Sequence, residues 1–307
     1  MTSRSRVLVG VIVTLAIGGA AGAATYALPQ RPTRRASAIA AAAGRACTPL
    51  RPGTQRLAAI DGRVPVVLHI PPSAPAGEPL VLALPGAGQT ASEFARYTGY
   101  SRLADQRQFI VAYPTATGNR PFWNVSGTSA GKPDDVAYLR DVIAAALRAA
   151  CADPARVGVT GVSNGGGMSA RMACDAADLI TAAAPVAGGY GSLPDCHPAR
   201  PVAIMEIHGT DDRVVPYAGK GSDGFGAVPL FLAQWLRLDG CPRPSARRSP
   251  AHGVDELRWA PCGAGTAVVH ERVHDAEHGW PGTDDESGRH GFSSTAQTWA
   301  FLSAYRR

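Results

Sequence analysis

The residue best suited to chemistry in this chain is a serine flanked by glycines. Ser163 is the centre of the run Gly161-Val162-Ser163-Asn164-Gly165, which follows a β-branched stretch and precedes a helix-forming one. A Gly-x-Ser-x-Gly turn between a strand and a helix is typical of a nucleophile elbow, where a strained backbone requires small neighbours. The hydroxyl would then lie at a helix N-terminus, whose free amides favour negative charge. The alternative interpretation is an ordinary turn between a strand and a helix.

A serine hydroxyl at neutral pH needs a base that removes its proton and an acid that holds the base. Two adjacent carboxylates, Asp211 and Asp212, directly follow the strand-like run 202–208. A fold with a nucleophile elbow places its acid in this position, after a strand that follows the serine. Aspartate is also common in turns, and the spacing suits both residues, so these residues alone do not choose between the two.

The candidate base is His278, which follows the last predicted strand. His270 and His274 precede it at four-residue intervals, a spacing that would suit metal ligands on one helix face. The run 268–273 favours a strand instead, and the sequence contains no His-Glu-x-x-His pattern. His208 precedes the loop that holds Asp211 and Asp212 (the acid loop), and its position within a strand favours a packing role. The sequence therefore predicts catalysis without a metal or other cofactor.

Two backbone amides are expected to bind the oxyanion of an acyl-transfer reaction. One belongs to Asn164, the residue after the serine. The other belongs to the loop 85–89, which follows an early predicted strand. Because proline lacks an amide hydrogen, the expected donor of that loop is Ala87 or Gly88, with Ala87 preferred.

Two tryptophans, Trp123 and Trp280, fall in loops that the pattern predicts on the active face of the molecule. Aromatic walls suit a phenolic or acyl substrate, so both side chains are predicted to line the substrate. The alternative for each of them is a tryptophan that is partly buried in the core.

Apolar runs and turn residues alternate along the chain from about residue 53. This alternation of strands and helices indicates an α/β fold with a doubly wound, mostly parallel sheet and helices on both faces. The functional site of such a sheet lies at the carboxyl ends of its strands. The predicted strands are 64–70, 80–84, 109–113, 157–160, 182–186, 202–208 and 268–273, and the predicted helices are 100–108, 134–151, 168–177 and 228–238.

The first 24 residues have the pattern of an export signal. An arginine-containing start precedes an apolar run over 7–24, which holds a small-x-small cleavage pattern. The run of about 18 residues is also just long enough for an uncleaved membrane anchor. Residues 25–46, rich in Ala, Arg and Pro, predict a disordered tether, and residues 47–307 predict one catalytic α/β-hydrolase domain.

The basic charge of the chain comes from its beginning. The first 60 residues hold eight of the 30 basic residues and none of the 24 acidic ones, so the remainder carries 22 basic and 24 acidic residues, a net charge of −2. A folded part so near neutrality has no electrostatic reason to bind nucleic acid. We expect no nucleic-acid partner, and contact with a membrane only through an uncleaved N-terminal segment.

Six cysteines in an exported chain predict three disulfides, and the lack of any Cys-x-x-Cys pair disfavours zinc. Disulfides form in oxidising compartments, so the predicted localisation is extracellular, or at the cell envelope if the leader persists. Proximity along the chain favours two of the pairs, and the third follows from them. The predicted pairs are Cys174–Cys196, Cys241–Cys262 and Cys47–Cys151.

These segments together resemble the secreted polyhydroxybutyrate depolymerase-like and feruloyl esterase family of α/β-hydrolases, of the carbohydrate-esterase type. The resemblance is carried by Leu84-Pro85-Gly86, by 153–166 (Asp-Pro-x-Arg-Val into Gly-x-Ser-x-Gly-Gly), by 208–217 (His-Gly-Thr-x-Asp-x-x-Val-Pro-Tyr) and by 278–282 (His-x-Trp-Pro-Gly). It implies a triad of Ser163, Asp212 and His278, with Asp212 at the acid position of the family motif.

The chain departs from the family pattern in two places. Pro85 stands where the family has a histidine, which implies an oxyanion loop that differs in detail. Residues 275–277 replace a glycine-rich lead-in to the histidine, which implies altered mobility of that loop. Neither departure removes a member of the triad.

The resemblance implies a secreted serine esterase, expected to be a monomer, that acts through an acyl-enzyme. The expected substrates are feruloyl (hydroxycinnamoyl) esters on plant polysaccharide, or short polyhydroxyalkanoate oligomers. Crystalline polyester is less favoured because the sequence has no evident polymer-binding module. Two alternatives are an acyltransferase on the same scaffold, which would pass the acyl group to a sugar, and a non-catalytic binding protein of the cell envelope.

Overall fold

A computed structural model describes seven stretches of the chain. The predicted export segment and tether, residues 1–46, lie outside them. Within the described stretches, every helix is too short or too polar to span a lipid bilayer. The described residues are 47–73, 75–126, 131–191, 196–219, 226–242, 246–282 and 291–307.

One mixed sheet of ten strands organises the described residues. The strands are β1 (Gly53–Arg56), β2 (Val67–Ile70), β3 (Leu80–Leu84), β4 (Ile110–Tyr113), β5 (Val157–Val162), β6 (Ala182–Val186), β7 (Ala203–Gly209), β8 (Ala246–Arg248), β9 (Val254–Trp259) and β10 (Val268–Val273). Their order across the sheet is β1-β2-β4-β3-β5-β6-β7-β10-β9-β8. The six central strands, β4-β3-β5-β6-β7-β10, are parallel, and the strands at both edges pair antiparallel.

Helices with local stop and start signals connect these strands. The first helix begins at a capping box, in which Thr90 and Glu93 exchange hydrogen bonds, and ends at Gly99 in the left-handed conformation. The third begins after Asp134, whose carboxylate accepts from the amide of Ala137. The helices are α1 (Ala91–Thr98), α2 (Tyr100–Arg107), α3 (Asp135–Ala150), α4 (Asn164–Asp175), α5 (Val228–Leu238) and α6 (Ser294–Leu302).

The strand order confirms the doubly wound α/β prediction and creates a crevice for a site. The chain passes from β3 to β4 on one side and then returns to form β5 on the other side of β3. At such a reversal the loops after the two neighbouring strands separate, and ligands bind between them outside the carboxyl ends. The loop after β3 and the turn after β5 are the segments that the sequence predicts for oxyanion binding and for the nucleophile.

Two elements begin three or four residues away from their predicted starts. The strand predicted over 64–70 begins at Val67, because Pro65 has no amide to donate to a neighbouring strand. The helix predicted over 168–177 begins at Asn164, since the serine turn leads directly into it. The three glycines 165–167 are therefore helical, although glycine disfavours helices by about 1 kcal/mol per residue.

The three predicted disulfides are present, which is consistent with an oxidising compartment. Cys151 caps the end of α3, and its disulfide ties Cys47, at the start of the described chain, to the end of that helix. The other two bonds each close a loop of about 20 residues, which in a chain-entropy model contributes about 3 kcal/mol of stability per bond. They join Cys174 to Cys196 and Cys241 to Cys262.

Candidate active site

Ser163 occupies a strained turn between β5 and α4. Its backbone angles are φ 56° and ψ −121°, and its amide donates to the carbonyl of Val186 (3.0 Å). Such a conformation costs about 1–3 kcal/mol and is kept only where the surroundings enforce it. Here the neighbouring glycines permit the close packing that holds the turn, because a Cβ on Gly165 would overlap the carbonyl oxygen of Leu84, and one on Gly161 would overlap that of Gly165. The elbow predicted from the sequence is thus present.

The loop after β3 presents one unengaged amide beside this serine. Gly86 lies against Ser163, since a Cβ placed on this glycine would be 3.5 Å from the serine Cβ. The Gly86 amide donates to Gln89 Oε1 (3.0 Å), and the Gly88 amide donates to the carbonyl of Pro121 (2.7 Å). Within the described residues the amide of Ala87 donates to no other group. Of the two predicted donors, Ala87 is therefore the one with a free N–H.

Asn164 has one free group and one engaged group. Its backbone amide is the first of α4 and has no partner within the helix. Its side chain makes two hydrogen bonds to the backbone of Trp123, accepting from the amide (2.7 Å) and donating to the carbonyl (3.0 Å). The side chain thereby connects the serine turn to the segment around Trp123.

Trp123 and Trp280, the two residues predicted to line a substrate, are each only 1% exposed, which favours the alternative of tryptophans that pack in the core. The Trp123 indole donates to the carbonyl of Pro85 (2.9 Å), so it bridges the oxyanion loop and the serine turn. The Trp280 indole donates to Thr295 Oγ1 (2.9 Å) and meets the ring of Phe94 edge-on. Burial of these rings, with their N–H groups satisfied, makes them supports of the active-site loops.

The predicted base and one predicted acid meet in the structure. His278 Nδ1 lies 2.7 Å from Asp212 Oδ2, and the imidazole is 19% exposed. Because a carboxylate only accepts, Nδ1 carries the proton and Nε2 keeps its lone pair. Asp211 is exposed, and among the residues that the structure describes it accepts only from the Thr210 hydroxyl (3.3 Å). The fold thus brings Asp212 to the histidine and leaves Asp211 in solvent.

Asp212 is buried and surrounded by hydrogen-bond donors. Its Oδ1 accepts from the amides of Val214 (2.9 Å) and Val215 (2.7 Å), while Oδ2 faces His278 and, at 3.3 Å, His208 Nε2. Burial alone would raise the pKa of Asp212, but the bonds from His208 and His278 hold this pKa well below its usual range. The carboxylate therefore remains charged.

The sequence reasoning missed a polar pair beneath this acid. Glu206 and His208, both on β7, are fully buried, and His208 Nδ1 lies 2.9 Å from Glu206 Oε1. His208 was predicted to pack, yet its ring lies between two carboxylates. The feature of the sequence that could have indicated this contact is the four-residue spacing between His208, in the strand, and Asp212, just after the end of that strand.

The histidines at four-residue intervals do not gather around a metal site. His270 Nε2 meets the Tyr217 hydroxyl (2.8 Å), and His274 Nε2 lies 3.0 Å from Asp255. In the part of the chain that the structure describes, no three His, Cys, Asp or Glu side chains are arranged to hold a metal ion. The spacing reflects a strand and its following turn, as predicted for 268–273.

Comparison with known proteins places this site in a family context. A family model described as Esterase PHB depolymerase matches residues 64–220. The chain is 30% identical over 315 residues to NocK of Nocardia uniformis subsp. tsuyamanensis, whose name provisionally assigns it as an esterase, and the match covers 92% of this chain and 90% of NocK.

Two further comparisons concern a longer relative and a solved structure. The chain is 35% identical over 144 residues to feruloyl esterase B of Piromyces equi, a match that covers 43% of this chain but only 27% of that protein. An acetyl xylan esterase from Aspergillus awamori superposes with a TM-score of 0.59 at 18% identity, over 74% of this chain and 94% of the other. At that identity the superposition shows the α/β-hydrolase fold alone.

Proposed function

The chain belongs to the Esterase PHB depolymerase family, and on this premise we propose that it hydrolyses carboxylic esters through an acyl-enzyme on Ser163. The observation that carries the proposal is the 2.7 Å contact between His278 Nδ1 and Asp212 Oδ2. This contact leaves the lone pair of His278 Nε2 available to accept a proton. The histidine lies at the edge of the sheet where the strained turn of Ser163 also lies.

In the first half of the reaction, His278 Nε2 removes the hydroxyl proton of Ser163 as the oxygen attacks the ester carbonyl carbon. Asp212 holds the imidazole in the correct tautomer and stabilises its charged form. The amides of Asn164 and Ala87 bind the oxyanion, and each such donor typically supplies about 2.7–4 kcal/mol of transition-state stabilisation. The imidazolium then gives its proton to the departing alcohol, and the acyl group remains on Ser163 as the acyl-enzyme.

In the second half, a water molecule takes the place of the alcohol. His278 removes a proton from this water as it attacks the acyl carbon, and the same two amides hold the second oxyanion. Collapse of this intermediate returns the proton to Ser163 and releases the carboxylic acid. Every proton moves between Ser163, His278, the substrate and the attacking water, so the proposed steps use only side chains and backbone amides of the chain.

For the substrate, we propose feruloyl or other hydroxycinnamoyl esters on plant polysaccharide first, and short polyhydroxyalkanoate oligomers second. The relative named feruloyl esterase B supports the first, and the description of the family supports the second. The exposed ring of Phe122 adds support for an aromatic acyl group. Phe122 lies between Pro121, whose carbonyl accepts from the Gly88 amide, and Trp123, whose indole donates to the carbonyl of Pro85. These contacts hold Phe122 beside the loop 85–89.

We also propose that the protein works outside the cytoplasm. The three disulfides support export, since such bonds persist in oxidising compartments. The apolar run over 7–24 supports a leader, either cleaved or retained as an anchor. Mass spectrometry of the mature N-terminus would identify which of these applies.

The decisive experiment compares three variants in hydrolysis of p-nitrophenyl acetate. Ser163→Ala should abolish turnover and fluorophosphonate labelling while the thermal melting curve stays that of a folded protein. Asp212→Asn should lower kcat by up to about 10⁴-fold, because the amide favours the wrong histidine tautomer. Asp211→Asn is the matched control and should retain activity. Loss of activity in the control with activity retained in Asp212→Asn would overturn the assignment of the acid.

A substrate panel tests the finer proposal. We expect a higher kcat/KM for methyl ferulate than for hydroxybutyrate oligomers or acetylated xylan. Adding a sugar acceptor should leave the free acid as the main product, whereas an acyl sugar would indicate an acyltransferase. A protein that binds these compounds without turnover or labelling would be a non-catalytic binding protein.

A further inference from the structure

We infer that His208 and Glu206 form a buried ion pair that positions the acid of the proposed triad, with His208 as a permanent imidazolium. The inference rests on the proposed function, because that function assigns Asp212 as the acid. Both side chains are fully buried on β7. They act through Asp212 and are therefore positioning residues.

The ring nitrogens of His208 carry the inference, because both face oxygen atoms that accept hydrogen bonds. Nδ1 lies 2.9 Å from Glu206 Oε1. Nε2 lies 2.9 Å from the carbonyl oxygen of Val215 and 3.3 Å from Asp212 Oδ2. A neutral imidazole has one N–H and one lone pair, so it would direct a lone pair at an acceptor. Only the imidazolium satisfies both sides of the ring.

Glu206 is in turn flanked by polar groups from two other elements. The hydroxyl of Tyr190, in the loop after β6, donates to Oε1 (3.0 Å). His270 Nδ1, on β10, lies 2.7 Å from Oε2, but its N–H is directed toward the backbone carbonyl of Glu206 (3.3 Å), so within the described residues Oε2 accepts no hydrogen bond. A charged carboxylate accepts from His208, whereas a protonated one would compete as a donor. The geometry thus favours a carboxylate–imidazolium–carboxylate chain.

The remaining surroundings of His208 agree with this charge. The ring of Tyr217, in the acid loop, meets the imidazole edge-on at 6.0 Å. Burial alone would lower the pKa of His208, but the bonds to Asp212 and Glu206 raise this pKa to about 10. The imidazolium therefore persists through the pH range in which an esterase would work.

The consequence falls on the base through the shared oxygen of the acid. Asp212 Oδ2 divides its interaction between His278 Nδ1 (2.7 Å) and His208 Nε2 (3.3 Å). A cation beside this oxygen offsets part of its negative charge. Asp212 then stabilises the imidazolium of His278 less than an isolated carboxylate would.

The charge of His208 can be measured directly by nitrogen NMR of histidine-labelled full-length protein. We expect the His208 ring, assigned through its own connectivities, to show two N–H groups from pH 6 to pH 9. In Glu206→Gln the His208 ring should lose its second proton at a lower pH than in the unaltered protein, since one of the two carboxylate partners of His208 is gone. A ring with a single N–H at pH 7 in the unaltered protein would overturn the inference, and this result does not require any variant to fold.

The effect on the base is measured from the pH dependence of kcat/KM for p-nitrophenyl acetate. His208→Gln removes the cation, so the acidic limb should move up by about one pH unit. The matched control is His274→Gln, which removes a half-exposed histidine paired with Asp255 and should leave the limb in place. A fall in kcat/KM at all pH values with an unmoved limb would indicate packing alone and would contradict the inference.

The two proposals fail in different ways. Turnover that persists in Ser163→Ala would remove the proposed function and would not change the protonation of the His208 ring. A neutral His208 ring in an enzyme whose turnover depends on Ser163 would remove only the inference drawn from the ion pair.

Discussion

Two glutamates on neighbouring parallel strands show opposite outcomes of the same burial. Glu206 on β7 and Glu271 on β10 are both fully buried. Burial alone would raise the pKa of Glu206, yet hydrogen bonds from His208, with His270 nearby, lower this pKa to about 2. At Glu271, burial, followed by the charge of Glu256 on the adjacent strand, raises the pKa to about 8.

The difference lies in the donors that each carboxyl group meets. Glu206 Oε1 accepts from Tyr190 and His208, and a second imidazole flanks Oε2. Within the described residues neither oxygen of Glu271 has a hydrogen-bond partner. Desolvation disfavours the charged form of both groups, and only donors or cations reverse it. The molecule therefore keeps a charged carboxylate beneath the proposed site and a protonated one on the next strand.

The largest expected effect comes from removing the charge of Glu206. Glu206→Gln leaves the His208 cation with one fewer partner, and breaking a buried ion pair typically costs about 3–5 kcal/mol of unfolding free energy. The measurement is urea-induced unfolding at pH 7. Since the pKa of Glu206 is lowered, this stability is present above the ordinary value of 4.5 and is lost as the pH falls toward about 2. The difference from the unaltered protein should shrink over that range, and a loss below about 1 kcal/mol at pH 7 would contradict the comparison.

The same substitution at Glu271 should have the opposite sign. Because its folded pKa is raised from 4.5 to about 8, the unaltered protein loses stability as the pH rises through that window, by at most about 1.4 kcal/mol per pH unit. Glu271→Gln removes this loss, so unfolding should require more urea at pH 8 and a similar amount at pH 4.5. Equal stability of both proteins at pH 8 would mean that Glu271 has found a donor.

The smallest effect is expected at Asp239, which is intermediate between the two glutamates. One of its oxygens accepts from the amide of Val202 (3.2 Å), whereas the other is buried and has no hydrogen-bond partner in the described part of the chain. Burial raises its pKa from 3.8 to about 7 despite that one bond. Because the unaltered protein loses at most about 1.4 kcal/mol per pH unit as the pH rises from 3.8 to about 7, Asp239→Asn should stabilise the protein at pH 8, and the gain should vanish at pH 4. Differential scanning fluorimetry at both pH values measures it, and destabilisation at pH 8 would show that the carboxylate is needed.

The central strands could be predicted, whereas the edges could not. β3 and β6 have the predicted bounds because each is an uninterrupted apolar run between turn residues. β10 (Val-Val-His-Glu-Arg-Val) also has its predicted bounds, although three of its residues are polar or charged. β1 (Gly-Thr-Gln-Arg) and β8 (Ala-Arg-Arg) carry no apolar alternation, and they are strands only because a partner strand accepts them. α1 also escaped prediction, although its Thr90–Glu93 capping box was a readable signal.

The candidate site divides in the same way. Ser163, His278 and the pair Asp211–Asp212 could be read from motifs, because a strand–turn–helix run and loops after later strands restrict where such residues stand. The roles of the tryptophans could not be read, because exposure depends on neighbours that are distant in sequence. The same reason hides Glu206, whose partners come from two other elements.

The sequence by itself determined the order of seven strands and four helices, the elbow, the cysteine pairing and the identity of the residues at the sheet edge. Those features depend on local propensity and on spacing along the chain. Only the tertiary structure decided which amide of the loop 85–89 is free, that both indoles are buried, and which buried carboxylates are charged. The charge of a buried group is set by the donors that fold around it, and these come from strands that meet only in three dimensions.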